Sequence, residues 1–180
     1  QALTKYLQRA IDDDQVEAVM IASKLRVFSG GADIEEFRTG SLWEKPNLPD
    51  VCLMIENCKK TVIALIEGPA MGGALELALA CDYRVATSDA LMGLPEIKLG
   101  LLPGAGGTQR LPRIIGLESA TQMILSGDPI SGHFALSCGL VDAIYENDQA
   151  LMMAQQFTKN IMLGENPKRS CADLIVTHPD

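Results

Sequence analysis

Between Thr61 and Arg110 the chain reads TVIALIEGPAMGGALELALACDYRVATSDALMGLPEIKLGLLPGAGGTQR. This stretch, largely apolar and punctuated by glycines, reads as a strand, a glycine pair opening a helix, a second strand and a glycine-rich turn. Thr61 to Ile66 is short, β-branched and ends at Glu67-Gly68, the pattern of a buried strand. Pro69 stands where a helix can begin, and Ala70 to Ala80 is nearly all small residues or leucine. From Gly68 to Cys81 the only charged side chain is Glu76. At helical spacing its neighbours are Gly72, Gly73 and Ala80. A helix with no solvated face is buried, so a carboxylate on its smallest side calls for a reason. One reading is structural: a helix edge that reaches solvent, or an acid held by a partner in the core. The other is a catalytic acid or base facing a glycine-floored cavity, since burial raises a carboxyl pKa toward the range where proton transfer is useful. On the helix alone the structural reading is favoured.

Glu96 shifts that balance. It follows Pro95 in MGLPEIKLG, and the glycine-rich loop Leu102 to Gly107 comes soon after. A second carboxylate beside glycine-rich backbone suits a reaction that needs two proton-handling groups and exposed amides. Upstream, FSGGADIEEF puts a glycine pair before Asp33, which with Glu36 has the pattern of a capping box. Glycines before a helix let backbone approach a ligand while first-turn amides stay free to donate.

These three segments, in chain order FSGGADIEEF, GPAMGGALELALACDYRVA and GLPEIKLGLLPGAGGTQRLP, resemble the motifs of the enoyl-CoA hydratase/isomerase (crotonase) superfamily in their usual order. The wording is most similar to the hydratase/isomerase portion of multifunctional β-oxidation enzymes of the peroxisomal bifunctional type. The resemblance implies a crotonase-like spiral of ββα units with peripheral C-terminal helices, and hydration of a 2-enoyl-CoA thioester. It implies an oxyanion hole from the Ala32 and Gly73 amides, catalytic roles for Glu76 and Glu96, and a Gly104 amide that helps orient water or carboxylate. Arg26 is the local candidate for the CoA phosphates. Coenzyme A belongs to the substrate, so no cofactor is required. The resemblance also allows a trimer-type homo-oligomer or a dehydrogenase domain in the same polypeptide. Enoyl-CoA isomerase, another crotonase-type acyl-CoA enzyme such as a thioester hydrolase, and a non-catalytic acyl-CoA-binding scaffold stay open as alternatives. Retention of both glutamates speaks against the scaffold.

The rest of the chain is consistent with an α/β domain. Alternating strand and helix patterns place the chain in that class. Residues 1–163 read as the domain, with an N-terminal part expected before it, and 164–180 as a linker or the start of a further segment. Leu3, Leu7, Ala10 and Ile11 share a helical face, and Glu17 to Ala22 reads as a strand. Val51 to Cys58, Leu117 to Leu125 and Asp148 to Met162 read as helices, with Leu140 to Tyr145 extended. Ser131 is a helix cap, with Gly139 as the stop. A net charge of −8 argues against a nucleic-acid surface. No apolar run reaches the length of a membrane span. Five cysteines without a C-x-x-C pair read as reduced core thiols of an intracellular protein, cytoplasmic in a bacterium, peroxisomal or mitochondrial in a eukaryote. Two histidines make a histidine-rich metal site a poor reading, and no metal is expected.

Overall fold

The computed structural model describes residues 2–31, 40, 44–164 and 168–176. Its centre is the strand the sequence singles out. β2 (Thr61–Ile66) is buried along its whole length. It lies between β1 (Ala18–Ala22) and β4 (Tyr83–Thr87), and β7 (Ala143–Tyr145) completes a sheet of order β1-β2-β4-β7 in which every pairing is parallel. A parallel sheet of this kind needs cover on both faces, and β2 shows how it is met. Val62, Ala64 and Ile66 join the larger core with Cys52, Ile55, Leu75, Ala78 and Leu79. Ile63 and Leu65 point the other way, into a second core with Tyr83, Val85, Ala150 and Ala154. Alternate residues of one strand thus serve two cores, which is why the run is apolar without a break.

The first face is covered by α2 (Leu48–Glu56) and α3 (Gly73–Ala80), with α4 (Gly107–Ile115) packed on α3 and α5 (Leu117–Ser126) on α4. The second face is covered by α7 (Ala150–Leu163), whose Phe157 meets Tyr83 edge-on at 5.9 Å between ring centroids. α1 (Ala2–Asp12) packs beside α2. A smaller sheet of order β3-β5-β6 joins Pro69–Met71, Leu91–Gly93 and Ile130–Ser131, the first pair parallel and the second antiparallel. α6 (Gly132–Ser137) is capped by the Ser131 hydroxyl, which accepts from the Phe134 N–H, and left-handed Gly139 follows.

Two elements differ from expectation. Pro69 opens a strand and not the helix: Met71 N–H donates to Ser29 C=O, Ser29 N–H to Pro69 C=O, and Gly72 N–H to Gly93 C=O. Gly72, at φ 57° and ψ −127°, turns the chain from that strand into α3, a conformation that side-chain-bearing residues avoid. α4 has no counterpart among the helices read from the sequence, because a glycine-rich start and Pro112 hide its pattern. The described part of the C-terminal tail, read as a linker or new segment, packs back on the body. Lys168 Nζ donates to Asp82 Oδ2 at 2.9 Å and Arg169 Nε to the Asp82 carbonyl at 3.0 Å. Arg169 also bonds both oxygens of Asp142 and lies over the Tyr83 ring, 4.5 Å from its centroid. Asp82 itself is buried and accepts the Val62 N–H at 2.8 Å, so one carboxylate ties the tail to the start of β2.

Candidate active site

Glu76 lies in the first turn of α3 and is only 2% exposed. A carboxylate so buried needs donors, and the glycine-rich loop supplies them. The amides of Ala105 and Gly107 both donate to Glu76 Oε1, each at 2.7 Å. Gly107 is the first residue of α4, so the acid also sits at the positive end of a helix. The approach is close because residue 107 lacks a side chain: a Cβ there would stand 3.0 Å from Glu76 Oε1. The first of the two sequence readings of Glu76 describes this arrangement. The acid is held by core partners, and those partners are ligand-grade backbone donors.

Glu96 sits in the first turn of a 3-10 helix, Pro95–Leu99. Its Oε1 lies 3.1 Å from where a Cβ on Gly72 would project, which puts the carboxylate at the entrance of α3. Its Oε2 is buried with no hydrogen-bond partner among the described residues. Burial pushes the carboxyl above its ordinary value, opposed by a hydrogen bond from its own backbone and reinforced by the charge of Glu76. A half-buried acid with a raised pKa and an unengaged oxygen holds its proton more readily than an exposed carboxyl does.

The other predicted residues fall as follows. Gly73 opens α3, so its N–H has no acceptor within the helix, and the Leu48 side chain lies against it. Gly104 is in the loop, but the loop amides on Glu76 come from its neighbours Ala105 and Gly107. Ala32, with Asp33 and Glu36, lies outside the described residues. Arg26 is exposed, in the bend after β1, and its charge is felt by Asp89. A groove of about 550 Å³ between the α1–β1 turn and the end of α7, lined by Gln15, Glu17, Lys159 and Met162 among others, shares no lining residue with this site.

Sequence reasoning missed the support of the loop. Arg110, 7% exposed, donates from Nη1 to the Ala105 carbonyl at 2.7 Å and from Nη2 and Nε to Glu56 at 2.9 and 3.3 Å. The signal available was a charged residue inside the otherwise apolar face of α4.

The enoyl-CoA hydratase/isomerase family model matches residues 1–174. The chain belongs to that family. It is 48% identical over 147 residues to a peroxisomal bifunctional enzyme of Danio rerio, covering 82% of this chain and 20% of that protein. A probable enoyl-CoA hydratase of Bacillus subtilis is 39% identical over 180 residues, 97% of this chain and 69% of that one. Among solved structures, an enoyl-CoA hydratase from Thermoplasma volcanium superposes with a TM-score of 0.81 at 31% identity, over 90% of this chain and 65% of the other. The fold is thus the crotonase fold, α/β with a parallel sheet and helices, as the resemblance implied. The chain spans about a fifth of the length of the peroxisomal and glyoxysomal multifunctional relatives it matches (20% and 23%). Among the described residues no helix is long and apolar enough to cross a membrane.

Proposed function

We propose that this domain hydrates 2-enoyl-CoA thioesters to 3-hydroxyacyl-CoA in fatty-acid β-oxidation, within a multifunctional polypeptide like its relatives. The observation that carries this reading is the clamping of Glu76 by two loop amides, with a second acid, Glu96, at the entrance of the same helix and one of its oxygens buried without a partner among the described residues. In the proposed reaction Glu76 takes a proton from a water whose oxygen bonds to C3 of the enoyl group. The C2–C3 π pair moves toward the thioester, and its negative charge rests on the thioester oxygen. The Gly73 N–H and, from outside the described residues, the Ala32 N–H donate to that oxygen. Glu96 then delivers a proton to C2, on the same face as the water. Fixed donors of this kind are each worth roughly a hundred- to a thousandfold in rate.

The fixed Glu76 favours hydration over simple proton shuttling, because a base held on one oxygen keeps a constant direction toward a bound water. The substrate brings its own coenzyme A, and the reaction as written uses no other cofactor. Arg26 remains a proposed contact for the CoA phosphates, and Gly104 a proposed contact for the water. A trimer, a dehydrogenase partner in the same polypeptide, and residence in the peroxisome of a eukaryote or the cytoplasm of a bacterium extend the same proposal. The test follows loss of 2-enoyl-CoA by the full-length protein and its Glu76→Gln and Glu96→Gln variants, each expected to be slowed by roughly a hundred- to ten-thousandfold. Wild-type hydration by either variant refutes its role. Faster turnover of 3-enoyl-CoA than of 2-enoyl-CoA would make the domain an isomerase.

A further inference from the structure

Glu76 is aimed by a loop, and the loop is itself held from behind. Residues Ala105 to Gly107 present two N–H groups to Glu76 Oε1, but a glycine-rich turn has no intrinsic reason to keep that shape. Left-handed Gly106 lies between the two donors, at φ 100°, and a Cβ there would run into the Arg110 guanidinium. Arg110 closes the turn: its Nη1 holds the Ala105 carbonyl at 2.7 Å, and its own N–H donates to Gly106 C=O at 2.9 Å. The guanidinium is fixed in turn by Glu56 at the end of α2, through Nη2 and Nε, with both side chains largely out of solvent. The tail adds a further contact, Cys171 Sγ to the Arg110 carbonyl at 3.5 Å.

We infer that Arg110 and Glu56 are positioning residues for Glu76: the pair holds the Ala105–Gly106 peptide, which joins the residues whose amides meet the acid, and thereby the placement of the carboxylate on the bound water. This rests on the acid–base reading of Glu76. Neither side chain reaches the Glu76 carboxylate; the effect passes through the Ala105 backbone. A planar fork suits this duty, since one guanidinium meets a carbonyl and a carboxylate at once, which an ammonium does not.

The experiment uses the full-length protein with a 2-enoyl-CoA substrate and, for binding, the saturated acyl-CoA of the same length. Arg110→Met, Arg110→Lys and Glu56→Gln are each made in the wild type and in the Glu76→Gln background. Arg110→Met is expected to lower kcat roughly ten- to a hundredfold, the scale of a misplaced catalytic group, with KM and saturated acyl-CoA affinity unchanged within about twofold. Arg110→Lys and Glu56→Gln are expected to fall between that variant and wild type, and they carry the test if Arg110→Met does not fold. In the Glu76→Gln background the same changes are expected to cost almost nothing further, because the group they position has already lost its function. A full additional loss in that background, a raised KM with kcat kept, or wild-type kcat in all three variants overturns the inference. Wild-type hydration by Glu76→Gln alone overturns the acid–base reading and this inference together. A slow Glu76→Gln with additive Arg110 losses overturns only the inference.

Discussion

Gly107→Ala separates catalysis from stability. Position 107 opens α4 and needs no left-handed backbone, so alanine there limits the unfolded chain and stabilises by about 0.4–1 kcal/mol. The added methyl stands 3.0 Å from Glu76 Oε1, 3.0 Å from Pro103 Cβ and 3.2 Å from Glu76 Cγ. All three distances are tighter than ordinary packing, and overfilling of this kind costs about 1–3 kcal/mol. The sum is a modest destabilisation, from near zero to about 2.5 kcal/mol, readable as a small shift in urea midpoint with an unchanged slope. Relief comes through the side chain that can rotate, which is Glu76, since Pro103 is a ring on a loop. The carboxylate moves by a few tenths of an ångström, and its 2.7 Å bonds to Ala105 and Gly107 lengthen. Hydration is therefore expected to fall roughly ten- to a hundredfold, while affinity for a saturated acyl-CoA stays near wild type. A Gly107→Ala protein with wild-type kcat would refute the argument, and so would one whose loss lay wholly in binding.

Other perturbations follow from the same geometry. Glu96 binds its proton more tightly folded than unfolded, so its contribution to stability is present at acid pH and lost as pH rises through the folded value. Glu96→Gln should accordingly gain on wild type in melting temperature between the ordinary value of 4.5 and the raised one, and equal gains at all pH values would refute this. Burial pushes the Cys52 and Cys81 thiols up to about 12. They should resist a thiol reagent until denaturant is added, whereas rapid native labelling of either would show that the core opens. Arg169→Ala removes the side-chain bonds to Asp142 and to the Asp82 carbonyl and the contact over Tyr83. Allowing for solvent around the guanidinium, it should cost roughly 1–2 kcal/mol in urea unfolding; no loss would mean that the tail docks without it.

Local signals were legible where one principle governed a segment. β2 lies at Thr61–Ile66 as read, because a strand buried on both faces leaves an uninterrupted apolar run. α5 begins at Leu117, as read, and ends before left-handed Gly127, the residue type that closes a helix. The Ser131 cap was visible for the same reason. The first turn of the central helix was not: Pro69 is compatible with a strand or a helix start, and the choice was made by Ser29 and Gly93, far away in sequence. At the site, Glu76 and Glu96 stood out as charges among apolar residues. Which amides would meet Glu76 was hidden, because backbone donors carry no side-chain signature. Glu56 and Arg110 are likewise an unremarkable acid and base until α2 and α4 bring them together.

The clasp between the tail and Asp82 has a consequence for how the chain is made. Synthesis runs from the N-terminus, and β2 and β4 are complete long before residues 168 and 169 emerge. Until then Asp82 holds the start of β2 through Val62 without the cations that accompany it in the finished fold. A nascent domain lacking its last stretch would keep that corner open to water, and arrival of Lys168 and Arg169 would act as the closing latch. A ribosome stalled just short of them should carry a domain that proteases cut near β4, and one stalled well beyond should not.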